Sequence, residues 1–344
     1  MTLSVKTVFN SFSIFILLFV LCNGSATMAG QEELSPEPAM LKPSLSQNFK
    51  FAGVSRTYRL YVPPSYREQQ AAPLLVLLHG GGSDGRAMVR FTGFNRIADE
   101  EGLLVVTPDG VEKHWNDGRE NTGYKAHRES IDDVGFISAL IDFLSTQYNV
   151  DRERIYVAGI SNGGMMAYRL GLELPHKIAA IAPVVAALPE PLAKKTYEDV
   201  PVPAVIVNGT EDPLVPWAGG DVRFMRKTMG RVLSVPDTVQ FWQNKNHCLK
   251  TPVISELPDN DPGDGMKVIK SEYAAGADGG DLVFYAVEGG GHTWPGPRAL
   301  VQYMPPFLIG RACKDFDATA VIWSFFSTHR LGARACGIDN AVYK

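Results

Sequence analysis

Ile155-Tyr156-Val157-Ala158-Gly159-Ile160-Ser161-Asn162-Gly163, a short apolar run that ends in a glycine-flanked serine, decides how the rest of the chain reads. Four apolar residues in succession, Ile155–Ala158, suit a parallel strand covered on both faces. Helical spacing begins at Asn162 and ends at Leu174, just before Pro175. The order is strand, sharp turn, helix, with the Ser161 hydroxyl raised at the turn. Glycines flank it because a Cβ there would meet the neighbouring strand or helix.

Working outward, the same alternation repeats. Arg56–Val62 alternates in hydropathy and reads as an antiparallel strand near an edge. Leu74–Leu78 and Leu103–Thr107 are continuous apolar strands, separated by a helix over Phe94–Glu101. Ile131–Tyr148 has helical spacing, and Ile178–Val185, Ala204–Val207 and Leu282–Val287 read as further strands. Thr238–Lys245 and Ala318–His329 read as helices. Repeated strand–helix–strand units with short apolar strands predict an α/β fold, a mostly parallel, doubly wound sheet with helices on both faces. Ligands of such sheets lie beyond the carboxyl ends of the strands, so chemistry is sought there.

Four strand ends carry it. After Leu74–Leu78 comes His79-Gly80-Gly81-Gly82, a glycine turn whose amides can face the cavity above the sheet. Gly81 and Asn162, the residue after the serine, are the expected oxyanion donors, and His79 reads as structural. After Ala204–Val207 comes Asn208-Gly209-Thr210-Glu211-Asp212-Pro213. Asp212 is preferred to Glu211 as the acid because Pro213 makes it a turn residue. After Leu282–Val287 comes Gly289-Gly290-Gly291-His292, a histidine on a flexible backbone and the expected general base. Ser161 is the expected nucleophile. A second match to the serine pattern, Gly81-Gly82-Ser83-Asp84-Gly85, begins too far from its strand, so Ser83 reads as a loop residue. His114, His127, His176, His247 and His329 take no role. Trp115, Trp217 and Trp294 lie in loops after strand ends and are candidate substrate-binding residues. The polar loop from Gly110 to Ser130 is long enough to cover the site. Asp132-Asp133 reads as the charged start of a helix.

Composition narrows the classes. Apolar residues make up 45% and charged residues 20% of 344, which excludes disorder over most of the length. The formal charge is −4 without a Lys/Arg cluster, so no nucleic-acid partner is expected. Lys6 is the only charge in the first 26 residues, Ile14–Cys22 is apolar, and Gly24-Ser25-Ala26 follows. This reads as a signal peptide over 1–26 and places the protein outside the cell or in the periplasm. The nine apolar residues are too few for a span of roughly 20, so no membrane association of the mature form is expected. Residues 27–46 read as a flexible leader and 47–344 as a single catalytic domain. Cys313 and Cys336 flank the last helix and are candidates to pair. The cysteine spacing matches no zinc pattern, so no metal is expected, and nucleophilic attack by a serine needs no cofactor.

Asp132-Asp133-Val134-Gly135-Phe136, Arg154 through Met166, Gly209 through Pro216 and Gly289 through Gly296 together resemble the polyhydroxybutyrate depolymerase esterases and the related feruloyl and acetylxylan esterases. The resemblance covers roughly residues 50–330. It implies an α/β-hydrolase fold, whose triad order Ser–Asp–His is met by Ser161, Asp212 and His292. It implies a secreted serine esterase that acts on an ester substrate: a soluble hydroxyalkanoate oligomer or, alternatively, a feruloyl or acetylxylan ester of plant polysaccharide. The chain ends soon after its last helix, so an appended polymer-binding domain is not expected. Two other classes remain on the same fold, a non-catalytic secreted binding protein and a serine peptidase.

Overall fold

The apolar runs lie side by side as one sheet. A computed structural model describes residues 46–297 and 304–331. Among these, the strands are β1 (Ser46–Phe51), β2 (Val54–Tyr61), β3 (Ala72–Leu78), β4 (Leu104–Pro108), β5 (Val150–Ile160), β6 (Ala180–Val184), β7 (Ala204–Gly209), β8 (Gly220–Phe224), β9 (Lys227–Val232), β10 (Val253–Glu256), β11 (Lys267–Tyr273) and β12 (Leu282–Glu288). Ten form a sheet in the order β1-β2-β4-β3-β5-β6-β7-β12-β11-β10. The centre, β4 to β12, is parallel, and the pairs at both edges are antiparallel. This is the α/β-hydrolase arrangement, a mostly parallel sheet with a helical layer on each face.

The sheet's period of two divides the core. Leu74, Val76 and Leu78 of β3 face one layer, with Phe136, Ile137, Leu140, Met166 and Trp242. Leu75 and Leu77 face the other, with Met88, Phe94, Ile97, Ile322 and Phe326. All of these are almost completely buried. Helices Asp133–Gln147, Asn162–Glu173 and Val235–Lys245 build the first layer, and Gly85–Thr92, Phe94–Glu101 and Ala318–Phe326 the second. Covered on both faces, the central strands lose the polar alternation that marks an exposed strand.

Several elements go beyond the sequence reading. β1 takes in Ser46, the last residue of the expected leader, and pairs antiparallel with β2. The helix Gly85–Thr92 lies in a stretch to which the sequence pattern assigns no element; Asp84 caps it by accepting the Ala87 amide, and Gly93 at φ 69° ends it. β8 and β9 form a separate hairpin whose charged sequence hides two inward valines, Val222 and Val232. The expected signal peptide over 1–26, most of the expected leader and Cys336 lie outside the described residues. Cys313 is buried, with its Sγ beside Asp315, and the half-buried Cys248 thiol donates to Gly280 O.

Candidate active site

Ser161 stands between β5 and the helix Asn162–Glu173 with φ 57° and ψ −122°, a conformation a non-glycine residue adopts only under constraint. The constraint is visible. The Ser161 amide donates to Val184 O and its carbonyl accepts from the Met165 amide. A Cβ on Gly163 would fall onto the carbonyl oxygens of Leu78 and His79, so the helix can begin this close to β3 only with glycine there. The first amides of a helix have no partner within it, and its positive end points at the turn.

The turn after β3 lies against this helix start. A Cβ built on Gly81 would sit 3.7 Å from that of Asn162. The Gly82 amide is bonded to Lys113 O and the Ser83 amide to Gly80 O. His79 is fully buried. Its Nδ1 donates to Gly80 O at 2.8 Å, and its Nε2 accepts the Gly110 amide at 2.9 Å. Burial pushes its pKa down to about 4. With both nitrogens engaged and its ring away from the open site, His79 is structural. Ser83 sits in the loop before the Asp84 cap, not on a strand-to-helix turn.

The loops after β7 and β12 are tied together. Thr210 N donates to Val287 O, Glu211 N to Gly290 O, and Gly289 N to Thr210 Oγ1. This brings Asp212 to His292, with Oδ2 2.7 Å from Nδ1. Asp212 Oδ1 accepts the amides of Leu214 and Val215, at 2.8 and 2.9 Å. Both side chains are nearly or fully buried, whereas Glu211 is exposed. Because Nδ1 holds the carboxylate, Nε2 is the nitrogen left to the cavity.

That cavity measures about 700 Å³, and Gly81, Ser161, Asn162 and His292 all line it. The three sequence-designated tryptophans do not, which corrects their assignment to substrate. Trp115 is fully buried and donates through Nε1 to His79 O. Trp294 is packed edge-on to Phe91 and Phe94 and donates to Thr319 Oγ1. Trp217 packs against Phe284. Each is large and apolar and sits just past a strand end, where packing of the loop on the sheet claims it. The wall is instead made by Phe91, Leu214, Val222, Phe224, Met229 and Ile309. Two of these belong to β8 and one to β9, a hairpin absent from the sequence reading.

The Gly110–Ser130 loop does border the site, through His114, Arg119 and Tyr124. His114, expected to take no role, is one of the lining residues. It stacks on Tyr124 with ring centres 3.5 Å apart, and burial lowers its pKa. Behind the wall, Asp117 is fully buried and bonded to Arg119 Nη2 at 2.7 Å, His127 Nε2 at 2.9 Å and Asn162 Nδ2 at 2.6 Å. Burial opposes its ionisation, but the Arg119 charge and the His127 bond outweigh that and hold the carboxyl well below the usual range. Trp115 completes the clamp: its amide donates to Asn162 Oδ1, and its carbonyl accepts from Nδ2. The Asn162 side chain is fixed from both ends. Asp133, at the expected charged helix start, is fully buried and paired with Arg56 at 2.7 Å; Asp132 is the cap. Among the described residues no group of His, Cys, Asp and Glu is arranged to hold a metal, and no helix is long and apolar enough to cross a membrane.

Comparison with known proteins bears on the family of the chain. The family described as Esterase PHB depolymerase matches residues 56–189. The putative esterase NocK of Nocardia uniformis subsp. tsuyamanensis is 32% identical over 252 residues, 71% of this chain and 72% of that one. Feruloyl esterase D of Neurospora crassa is 24% identical over 286 residues, 80% and 82% of the two chains. Feruloyl esterase B of Piromyces equi is 26% identical over 237 residues, 67% of this chain but 41% of the relative, so the chain spans about two fifths of it. With the fold and these relatives in agreement, the chain belongs to the PHB depolymerase family of esterases and is a carboxylic ester hydrolase.

Proposed function

We propose that Ser161, Asp212 and His292 form the catalytic triad of a secreted esterase. The observation that carries this is the buried Asp212–His292 pair opening on the cavity of the constrained Ser161 turn. Ser161 Oγ attacks the ester carbonyl while His292 Nε2 takes its proton. Asp212 fixes the imidazole orientation and stabilises the imidazolium. The Gly81 and Asn162 amides receive the oxyanion, and each such donor lowers the barrier by about 2.7–4 kcal/mol. His292 returns the proton to the leaving alcohol, and water activated by His292 then hydrolyses the acyl-enzyme. No cofactor takes part. Ser161→Ala is expected to abolish labelling by a fluorophosphonate probe; labelling that persists overturns the assignment. Catalytic turnover of a simple ester also excludes the binding-protein reading.

The substrate proposed is a soluble hydroxyalkanoate oligomer, supported by the family and by an apolar wall suited to an aliphatic acyl chain. A second reading, feruloyl or acetylxylan esters, is favoured by the names of the relatives. A panel of 3-hydroxybutyrate oligomers, methyl ferulate and acetylated xylan, compared by kcat/KM, separates them. Secretion rests on the N-terminal charge and hydropathy pattern. It is tested by the N-terminus of the exported protein, expected after Ala26.

A further inference from the structure

The helix Gly85–Thr92 follows the oxyanion turn directly and brings two arginines to the cavity that holds Ser161. Arg86 and Arg90 are four residues apart, so they share a helix face with Cβ atoms about 5–6 Å apart. Both are exposed. Among the described residues neither makes a hydrogen bond or an ion pair, although other arginines nearby do. Arg119, on the same cavity, is occupied by Asp117 and Met229 O. Arg96, on the next helix, is paired with Glu100 and Asp317. Asp84 also lines the cavity, but its side chain accepts the Ala87 amide as the helix cap. The site thus joins an apolar wall to two guanidinium groups with no carboxylate of their own.

We infer that Arg86 and Arg90 bind a free carboxylate on the substrate, so that the enzyme prefers anionic esters. This rests on the esterase reading and deepens it. Guanidinium matches carboxylate geometry through paired N–H donors, and two groups on one face hold the anion from two directions. An oligomer of hydroxy acids carries such a carboxylate on the alcohol side of its last ester bond, whereas a feruloyl or acetyl group brings none. A uronic acid on a polysaccharide has the same chemistry and is the other source.

The test compares 3-(butyryloxy)butyrate, which carries its free carboxylate on the alcohol side as an oligomer does, with its neutral amide, in the wild type and in Arg86→Gln/Arg90→Gln. An exposed charge pair is worth at most about fivefold, so the double variant is expected to lower the anionic-to-neutral ratio of kcat/KM by roughly five- to tenfold, mainly through KM. Neutral-ester turnover stays within about twofold of wild type, which also reports that the variant is folded. In the wild type, the ratio falls as salt is added. A ratio unchanged by the substitutions, or a wild-type ratio indifferent to salt, overturns the inference while leaving the esterase reading intact. Failure of the wild type to hydrolyse either ester overturns the esterase reading itself. To separate the sources, 3-hydroxybutyrate trimer is compared with its terminal methyl ester, and an acetylated xylo-oligosaccharide with its uronate-bearing counterpart. The pair that loses its preference in the double variant identifies the carboxylate.

Discussion

Two buried aspartates each hold a histidine near the Ser161–Asn162 turn, yet they are built for different work. Asp212 gives Oδ2 to His292 and Oδ1 to two backbone amides, and no arginine or lysine pairs with it among the described residues. Asp117 gives its oxygens to the Arg119 guanidinium, His127 and Asn162. A carboxylate already neutralised by a guanidinium has little left to offer an imidazolium. One held only by dipoles keeps its charge for the proton its histidine will gain. His292 also lines the cavity, whereas the second nitrogen of His127 is buried without a partner among the described residues. The comparison teaches that an Asp–His pair becomes catalytic through what else touches the carboxylate and what the imidazole faces.

The hardest test of that division is Asp212→Asn. It leaves the packing nearly unchanged but disorients the imidazole, and kcat is expected to fall on the order of 10⁴-fold with little loss of stability. Asp117→Asn should behave in the opposite sense. It strands the buried Arg119, which costs about 3–5 kcal/mol of stability in urea unfolding. It also loosens the anchor of Asn162, so kcat falls by about 10²-fold. If both variants lose the same activity at the same stability, the two aspartates are not distinguished by their partners.

The contrast follows what a sequence can carry. Ser161, Asp212 and His292 each sit immediately after an apolar strand, and local pattern finds them because the strand positions the residue that follows. Asp117 is found by no such rule. Its partners come from within a long polar loop and from the helix start at Asn162, and the pairing exists only once the loop folds back. β8 and β9 are hidden in the sequence for a related reason: their alternation, Val222 and Phe224 inward among charges, is too short to stand out from a loop. One signal was available for Gly85–Thr92. Asp84 before the run and Gly93 after it are a helix start and stop. The three tryptophans show the opposite error, where a position near the site was read as contact with it. The parallel core strands were the most legible part, because burial on both faces leaves runs such as Leu74–Leu78 with no competing reading.

His79 extends the comparison to an imidazole with no carboxylate partner. Its folded pKa is about 4 against an ordinary 6.5, so the unfolded chain takes up a proton that the folded one refuses. Stability is therefore full above pH 6.5 and is lost as pH falls toward 4, by about 3 kcal/mol. Asp117 adds its own loss only at lower pH, below the ordinary carboxyl value of 3.8, because its folded pKa is depressed. Urea midpoints at several pH values should show the first step, and His79→Gln should remove most of it, leaving the share of His114, whose pKa burial also lowers, and the second step. A step undiminished in His79→Gln would assign the proton to another group.

The smallest effect is the one that isolates the comparison. His127→Gln removes the imidazole of the structural pair but leaves Arg119 to neutralise Asp117, and Asp117 to hold Asn162. The loss is one hydrogen bond to a charged group, about 1.5–3 kcal/mol at most, and kcat is expected to stay within about twofold. The same change at His292 removes the base and should leave almost no turnover. A large kcat loss in His127→Gln at unchanged stability would mean that its imidazole sets the oxyanion geometry through Asp117. Asp117 would then have to be counted as part of a second proton-linked unit instead of a fixed anchor.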